Sequence, residues 1–351
     1  MHPKVLFILK RREDYNSITH SHIGLSTGLY NSANFMNQML KARGVHSELV
    51  VVVDNNCIDR EVTKHKPTHV IIEALWVVPT KFAILQKLHP KVKWIIRVHS
   101  EMPFMAGEGM AMDWLGDYSQ FGNVILAINA PRMLREISNY LQIKNGWDDN
   151  KTNKKIIYLP NYYPNEFKKA KKIDKDKPTI DIACFGAIRP LKNHLVQAFA
   201  AIEFANKLGK KLNFHVNAGR IEMNGSPVIN NLKGLFQHLA GKHEMINHTW
   251  CPREQFLELC STMDLGLQCS FSETFNIVGA DLISQGIPLI GSKEIPWCAG
   301  LYSADPTNSE DIVKKMERSY NWACANVFLH QGLLYDYTKT TESIWYKYFN
   351  Q

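Results

Sequence analysis

Two carboxylates eight residues apart, Glu273 and Asp281, sit in the segment Ser270-Phe-Ser-Glu-Thr-Phe-Asn-Ile-Val-Gly-Ala-Asp281. A strand-like run, Leu265-Gly-Leu-Gln-Cys269, precedes them, and Gly286-Ile-Pro-Leu-Ile290 follows. With a helix starting near Phe275, Glu273 lies on the turn before it and Asp281 projects from its second turn. Between the acids, at Thr274, Phe275, Asn276 and Ile277, come the unpaired N–H groups of a helix start. They attract anions through their open donors and the macrodipole. Two acids flanking an anion site suit a sugar attached to a phosphate. One acid would hold sugar hydroxyls, the other a ribose, and the backbone the diphosphate between them.

Basic and polar residues at two further turns extend this chemistry. The strand-like Ile180–Phe185 leads into Gly186-Ala-Ile-Arg189-Pro-Leu-Lys192-Asn193. Two cations there, Arg189 and Lys192, could neutralise the charge of a departing diphosphate. In the first half, Arg97-Val-His99-Ser-Glu101 closes another apolar strand. His99 is a candidate contact to sugar or acceptor, with Glu101 either assisting it or pairing with Arg97. The loop from Lys10, Arg11 and Arg12 through His20 and His22 reaches Gly28, where a helix start would let an anion approach the backbone. His20 and His22 have no carboxylate cluster at ligand spacing, so no metal site is expected.

Short apolar runs alternating with helical patterns must position these residues. Val5–Leu9, Leu49–Val53, His69–Ile72, Trp94–Val98, Val124–Ile128 and Ile156–Leu159 read as strands of the first half. Helices are expected over Gly28–Arg43 and around 79–88 and 131–142. The second half repeats the pattern, with strands Ile180–Phe185, Leu212–Val216, Met245-Ile246, Leu265–Gln268 and Ile287–Ile290. Its helices are expected at Leu191–Leu208, Arg253–Cys260, Phe275–Gln285, Ser309–Cys324 and Leu333–Phe349. Continuous apolar strands between helices predict α/β domains with parallel sheets covered on both faces. The polar, lysine-rich stretch 164–178 reads as a linker. It divides an acceptor-binding domain (1–163) from a nucleotide-sugar-binding domain (179–330), with a final crossover helix over 331–351. No Gly-x-Gly-x-x-Gly follows the first strand, which argues against a dinucleotide-dependent oxidoreductase or epimerase.

The segment from Glu273 to Pro288 resembles the nucleotide-binding signature of retaining GT-B glycosyltransferases, family four in particular. That signature opens Glu-Gly-Phe-Gly, has seven residues between its two acids, and closes on Gly-x-Pro. Spacing and Gly286-Ile-Pro288 are kept, while Asp281 replaces the second Glu and Thr274 and Asn276 replace two glycines. The family's Gly-Arg-x4-Lys turn matches Gly186 and Lys192, with Ala187 in the arginine position and Arg189 two residues later. The resemblance implies a GT-B fold of two Rossmann-like domains facing across a cleft. It also implies transfer from a UDP-sugar with retention, requiring neither metal nor cofactor beyond the donor. Catalytic roles would fall on Glu273, His99, Lys192 and Arg189. Asp281, Thr274, Phe275, Asn276, Ile277, Gly186 and Gly28 would bind the donor.

Charge bears on the acceptor. Of the net +8, the surplus lies in residues 1–163 and 164–178, which points to an anionic partner there. Segments such as Pro67–Trp76 and Trp94–Pro103 resemble glycosyltransferases of large tailed phages. Members of that group glucosylate or arabinosylate 5-hydroxymethylcytosine in double-stranded DNA. Glu101, Lys10, Arg11 and Arg12 would then meet the DNA, and the base would leave the stack. A polysaccharide or lipopolysaccharide acceptor, or a non-catalytic DNA- or sugar-binding module, are the alternatives. No apolar run reaches the ~18–20 residues needed to cross a bilayer. Seven cysteines without a Cys-x-x-Cys pair read as reduced thiols. A cytoplasmic protein (host cytoplasm if phage-encoded) without stable membrane insertion is expected.

Overall fold

The computed structural model describes residues 3–11 and 27–350. Arg12, His20 and His22 lie outside them. The chain divides into two compact units: Met1–Pro164 with Thr338–Gln351, and Asn165–Tyr337.

The first unit is built on β1 (Lys4–Lys10), α1 (Thr27–Ala42), β2 (His46–Val52), α2 (Ile58–His65), β3 (His69–Glu73) and α3 (Lys81–Leu88). It continues with β4 (Lys93–Val98), α4 (Met102–Met105), α5 (Ala111–Gln120), β5 (Val124–Ile128), α6 (Pro131–Asn145), α7 (Asp149–Asn153) and β6 (Ile156–Tyr158). The six strands form one sheet in the order β2-β1-β3-β4-β5-β6, each pair parallel. Alternation along β1 shows why its sequence is apolar throughout. Leu6 and Ile8 enter the core shared with α2, α3, α5 and α6. Val5 and Phe7 enter a second core on the other face, with Met36 and Leu40 of α1.

The second unit runs through β7 (Thr179–Ala183), α8 (His194–Leu208), β8 (Lys211–Val216), α9 (Ser226–His238), β9 (Glu244–Asn247), α10 (Arg253–Thr262) and β10 (Leu265–Gln268). α11 (Ile277–Ser284), β11 (Leu289–Ser292), β12 (Ser303–Ala304), α12 (Ser309–Asn321) and α13 (Ala323–Phe349) complete the chain. Its sheet, also parallel, has the order β12-β11-β10-β7-β8-β9.

Several expected boundaries shift for local reasons. The helix after Glu273 begins at Ile277 because Asn276 takes a left-handed conformation (φ 64°) and caps it through its own side chain. α8 begins at His194, after a 3-10 turn over Pro190–Lys192 and a left-handed Asn193. The last helix is one element from Ala323 rather than a separate segment from Leu333, and its residues join the first unit from Thr338. There Trp345 is fully buried, its Nε1 donating to the Pro160 carbonyl at 2.8 Å and its ring stacked on Phe7.

Segment 164–178 does not behave as a spacer, because from Asn165 it belongs to the second unit. Lys168 N donates to the Ser284 carbonyl (2.8 Å), Lys171 N to that of Gly286 (2.9 Å), and Ile173 is buried in the core. The contact requires a glycine. Gly286 has φ +79°, and a Cβ there would stand 2.1 Å from the Lys169 carbonyl oxygen. Lys171 Nζ caps the Thr262 and Met263 carbonyls that end α10.

Candidate active site

In the second unit, two strand–helix loops are stitched together beyond the carboxyl ends of neighbouring strands. Asn193 donates through its amide to the carbonyls of Cys269 (3.0 Å) and Pro306 (2.7 Å). Gln197 donates to the Lys192 and Asn193 carbonyls, and its Oε1 accepts from Cys269 N at 2.8 Å. Phe271 N donates to the Leu191 carbonyl at 2.9 Å. This frame brings Lys192 Nζ onto the Glu273 carboxylate in a direct hydrogen bond. Asn276 Nδ2 also donates to Glu273 Oε1 (3.1 Å) and to Gln268 Oε1 (2.9 Å). The two charged side chains are only 11% and 8% exposed, so removing either leaves the other nearly buried without its counter-charge. Burial pulls the Lys192 pKa down, opposed by Glu273 and reinforced by Arg189.

The remaining predicted donor residues divide. Gly186 follows β7 with φ +120°, its N–H donating to Asn217 Oδ1 at 3.3 Å, so the backbone rather than space demands glycine. Phe275 is buried against Trp297 and Tyr337, and its carbonyl accepts from Trp297 Nε1 at 2.7 Å. Thr274 and Ile277 are half-buried. At the α11 start, the Gly279 N–H is taken by Asn276 Oδ1 (2.7 Å), leaving those of Ile277 and Val278 without an acceptor inside the helix. Arg189 faces Glu222 (3.4 Å), which also binds Arg220 (2.5 Å), while Arg220 stacks 5.4 Å over Trp250. Asp281 is 3% exposed and accepts from Arg253 Nη1 at 2.7 Å. Glu222, Arg220 and Arg253 were not foreseen. Glu222 and Arg253 lie 33 and 28 residues from Arg189 and Asp281, beyond any local pattern, and Arg220 comes in through Glu222, two residues on.

In the first unit, Glu73 and Arg97 are register partners on β3 and β4. Arg97 therefore pairs with Glu73 (3.0 Å), which also accepts from His99 Nε2 at 2.5 Å. Glu101 does not pair with Arg97; it lies past the strand at the start of α4 and binds Arg132 on α6. The one hint of Glu73 was an acid closing the apolar run Val70-Ile-Ile72. Lys10 and Arg11 are exposed at the end of β1, Arg11 N donating to the Val52 carbonyl, and Gly28 lies in the first turn of α1. Among the described residues, no group of three or more His, Cys, Asp or Glu is placed to hold a metal ion. Nor, among them, is any helix long and apolar enough to cross a membrane.

Two histidines of the second unit are held neutral. His194, buried at the start of α8 beside Lys192 and Arg189, has its pKa pushed down to about 3 by burial and then by those cations. His330, buried on α13 with Nδ1 donating to the Asn326 carbonyl, is pushed down to about 4 by burial. Unfolded histidines bind a proton near pH 6.5, so between there and pH 3–4 the unfolded chain holds more protons. Stability is full above about pH 6.5 and falls on acidification, by at most about 1.4 kcal/mol per pH unit for each histidine. Urea titrations at pH 7 and pH 5 should show the loss, and His330→Gln should flatten it. An unchanged slope in that variant would remove His330 from the account.

No protein-family model and no curated protein sequence matches the chain. Solved structures match it over its whole length. A UDP-forming α,α-trehalose-phosphate synthase from Burkholderia xenovorans superposes with a TM-score of 0.67 at 11% identity, covering 99% of this chain and 98% of that one. A sucrose-phosphate synthase from Thermosynechococcus elongatus gives 0.68 at 10% identity, over 99% and 98%. An E. coli structure named for trehalose-6-phosphate and bound with UDP-2-fluoro glucose gives 0.67 at 10%, over 99% of each chain. Likeness at such identity establishes the architecture. The fold is GT-B, with two parallel-sheet α/β units.

Proposed function

We propose that the chain is a nucleotide-sugar-dependent glycosyltransferase, with the Lys192–Glu273 pair at its centre. The observation that carries this is the pair itself, a cation and a carboxylate held together by two stitched loops at the start of α11. In transfer, the bond from the sugar's anomeric carbon to the diphosphate breaks with its electron pair leaving on the nucleotide. A bond to an acceptor hydroxyl oxygen forms, through an oxocarbenium-like transition state. Lys192 stabilises the charge that builds on the leaving diphosphate, and Glu273 orients sugar hydroxyls. Backbone N–H groups at Ile277 and Val278 add to the anion site. Asp281 reaches the ribose as part of its pair with Arg253. The donor is a UDP-sugar and the anomeric configuration is retained, in keeping with the signature around Glu273 and the UDP-sugar bound in the E. coli structure of the same fold.

For the acceptor we infer the hydroxyl of 5-hydroxymethylcytosine in DNA, on the basic surplus of residues 1–178 and the resemblance of the first unit's segments to phage enzymes. A sugar phosphate is the second reading, favoured by structures of the same fold named as trehalose-phosphate and sucrose-phosphate synthases. One experiment addresses both. Labelled UDP-sugars are offered with hydroxymethylated DNA, unmodified DNA, glucose 6-phosphate or fructose 6-phosphate. Label confined to modified DNA supports the first reading, and label in a sugar phosphate replaces it with the second. Failure of every UDP-sugar to bind or to release UDP overturns the transferase.

A further inference from the structure

The first half of α13 is apolar on its outer side as well as its inner one. No Asp, Glu, Lys or Arg stands between Arg318 and Asp336. Asn326, Val327, His330 and Leu334 are buried and fasten the helix to the second unit. Ala325, Phe328, Leu329, Gly332 and Leu333 are exposed, as is Trp322 at the corner before the helix. With 3.6 residues per turn, the five helical positions share an arc of about 140°. Phe328 is 81% exposed and Trp322 67%, so these rings stand out from the surface rather than lining a groove. Single exposed apolar side chains are ordinary, but a continuous uncharged row marks a surface that something covers.

What runs beside the row is basic. Gln331 Nε2 donates to the Lys168 carbonyl at 2.9 Å, and Lys175 Nζ reaches Asn321 Oδ1 at 3.4 Å. The stretch 164–178 therefore follows α13 in the opposite direction, with six lysines against three acids, Glu166, Asp174 and Asp176. Lys168, Lys169, Lys172 and Lys175 are exposed. Where the stretch meets the corner between α12 and α13, a cavity of about 710 Å³ is lined by Lys172, Lys175, Tyr320 and Trp322, with Asp174 and Asp176 also on its wall.

The two features together select the occupant. Duplex DNA would use the lysines and leave Phe328 and Leu329 against water. A second copy would cover the apolar row but bring the lysines no excess of acid, because the same lysine-rich stretch borders the face in both copies. An anionic bilayer surface satisfies both, taking protruding Trp, Phe and Leu side chains at the acyl boundary and lysines at the headgroup phosphates. We propose that the outer face of α13 and the lysines beside it dock on an anionic phospholipid surface. Trp322, Phe328, Leu329 and Leu333 enter the boundary between headgroups and acyl chains, and the contact is peripheral.

The test needs neither donor nor acceptor, so its result is separate from the transferase reading. The full chain is floated with vesicles of phosphatidylcholine alone, or of phosphatidylcholine and phosphatidylglycerol in equal parts. Binding to the anionic vesicles should exceed binding to the neutral ones at least about tenfold and weaken as salt is raised. Trp322→Ser with Phe328→Ser should lower it by about tenfold or more. Lys168→Gln, Lys169→Gln and Lys172→Gln together should do the same. Equal binding to both vesicles, binding to neither, or undiminished binding in the Trp322 and Phe328 variant overturns the proposal. So does a dimer that Phe328→Ser dissociates in a protein that ignores vesicles, which gives the face to a second copy. Duplex DNA held by the three lysines without vesicle binding overturns it as well. Should the paired variant melt early, Phe328→Ser alone, at a position 81% exposed, still decides.

Discussion

Lys192→Ala and Glu273→Ala should each lower sugar transfer by about 10²–10³-fold or more, the range for removing one preorganised group that meets transition-state charge. The two losses have different origins. Without Lys192, the departing diphosphate faces the helix start and Arg189, whose guanidinium is directed at Glu222. Without Glu273, the sugar loses its carboxylate and Lys192 keeps a charge that is nearly buried and unmatched. Stability should register that mismatch. Each single variant leaves an orphaned charge, while the double variant leaves none, so the double should be more stable than the sum of the singles implies. Steady-state kinetics with thermal melts of all four proteins measure both quantities. Wild-type turnover in either single variant would remove the pair from the chemistry. Strictly additive melts would show that the partners are indifferent to each other.

Trp345→Ala should have the largest effect on stability, roughly 3–5 kcal/mol, as for other fully buried aromatic truncations. Trp345 is 0% exposed, packs on Phe7 and Phe349, and lies under the Arg97 guanidinium. Its indole N–H satisfies the Pro160 carbonyl. Truncation therefore opens a cavity, strands a carbonyl and frees one wall of the site that holds Glu73. Calorimetry should show an earlier transition, and Trp345→Phe should recover much of the loss by refilling the volume. A loss below about 1 kcal/mol would mean that the face collapses around the gap.

Much of this architecture is written in runs such as Val5–Leu9 and Trp94–Val98, which are apolar throughout because a parallel strand is covered on both faces. The register of Glu273 with Gly286 was equally legible, since it follows from one helix and its two turns. Elements with few core residues were not. α2 buries only Ile58 and Val62, and α9 carries a glycine, Gly234, within its polar stretch. The partners of predicted site residues were hidden for another reason. Arg189 with Glu222 and Asp281 with Arg253 join residues 33 and 28 apart, brought together by strand order rather than by any local period. Asn276 shows the same limit at short range. As a substitute for glycine it looked like a departure from the signature, yet its side chain caps α11 and supports Glu273 at once.

The lysine-rich stretch after Pro164 would look, to a protease, like an invitation. Trypsin needs several residues of backbone to leave the surface before it can cut, and here the backbone at Lys168 and Lys171 is bonded to the end of α11 and to Gly286. Native digestion should therefore spare the bonds after Lys168, Lys169, Lys171 and Lys172, despite their number. A methyl group at position 286 would push the Lys169 carbonyl from its seat. Gly286→Ala should thus convert this resistant stretch into the first site of cleavage, with the two halves of the chain appearing as separate bands on a gel.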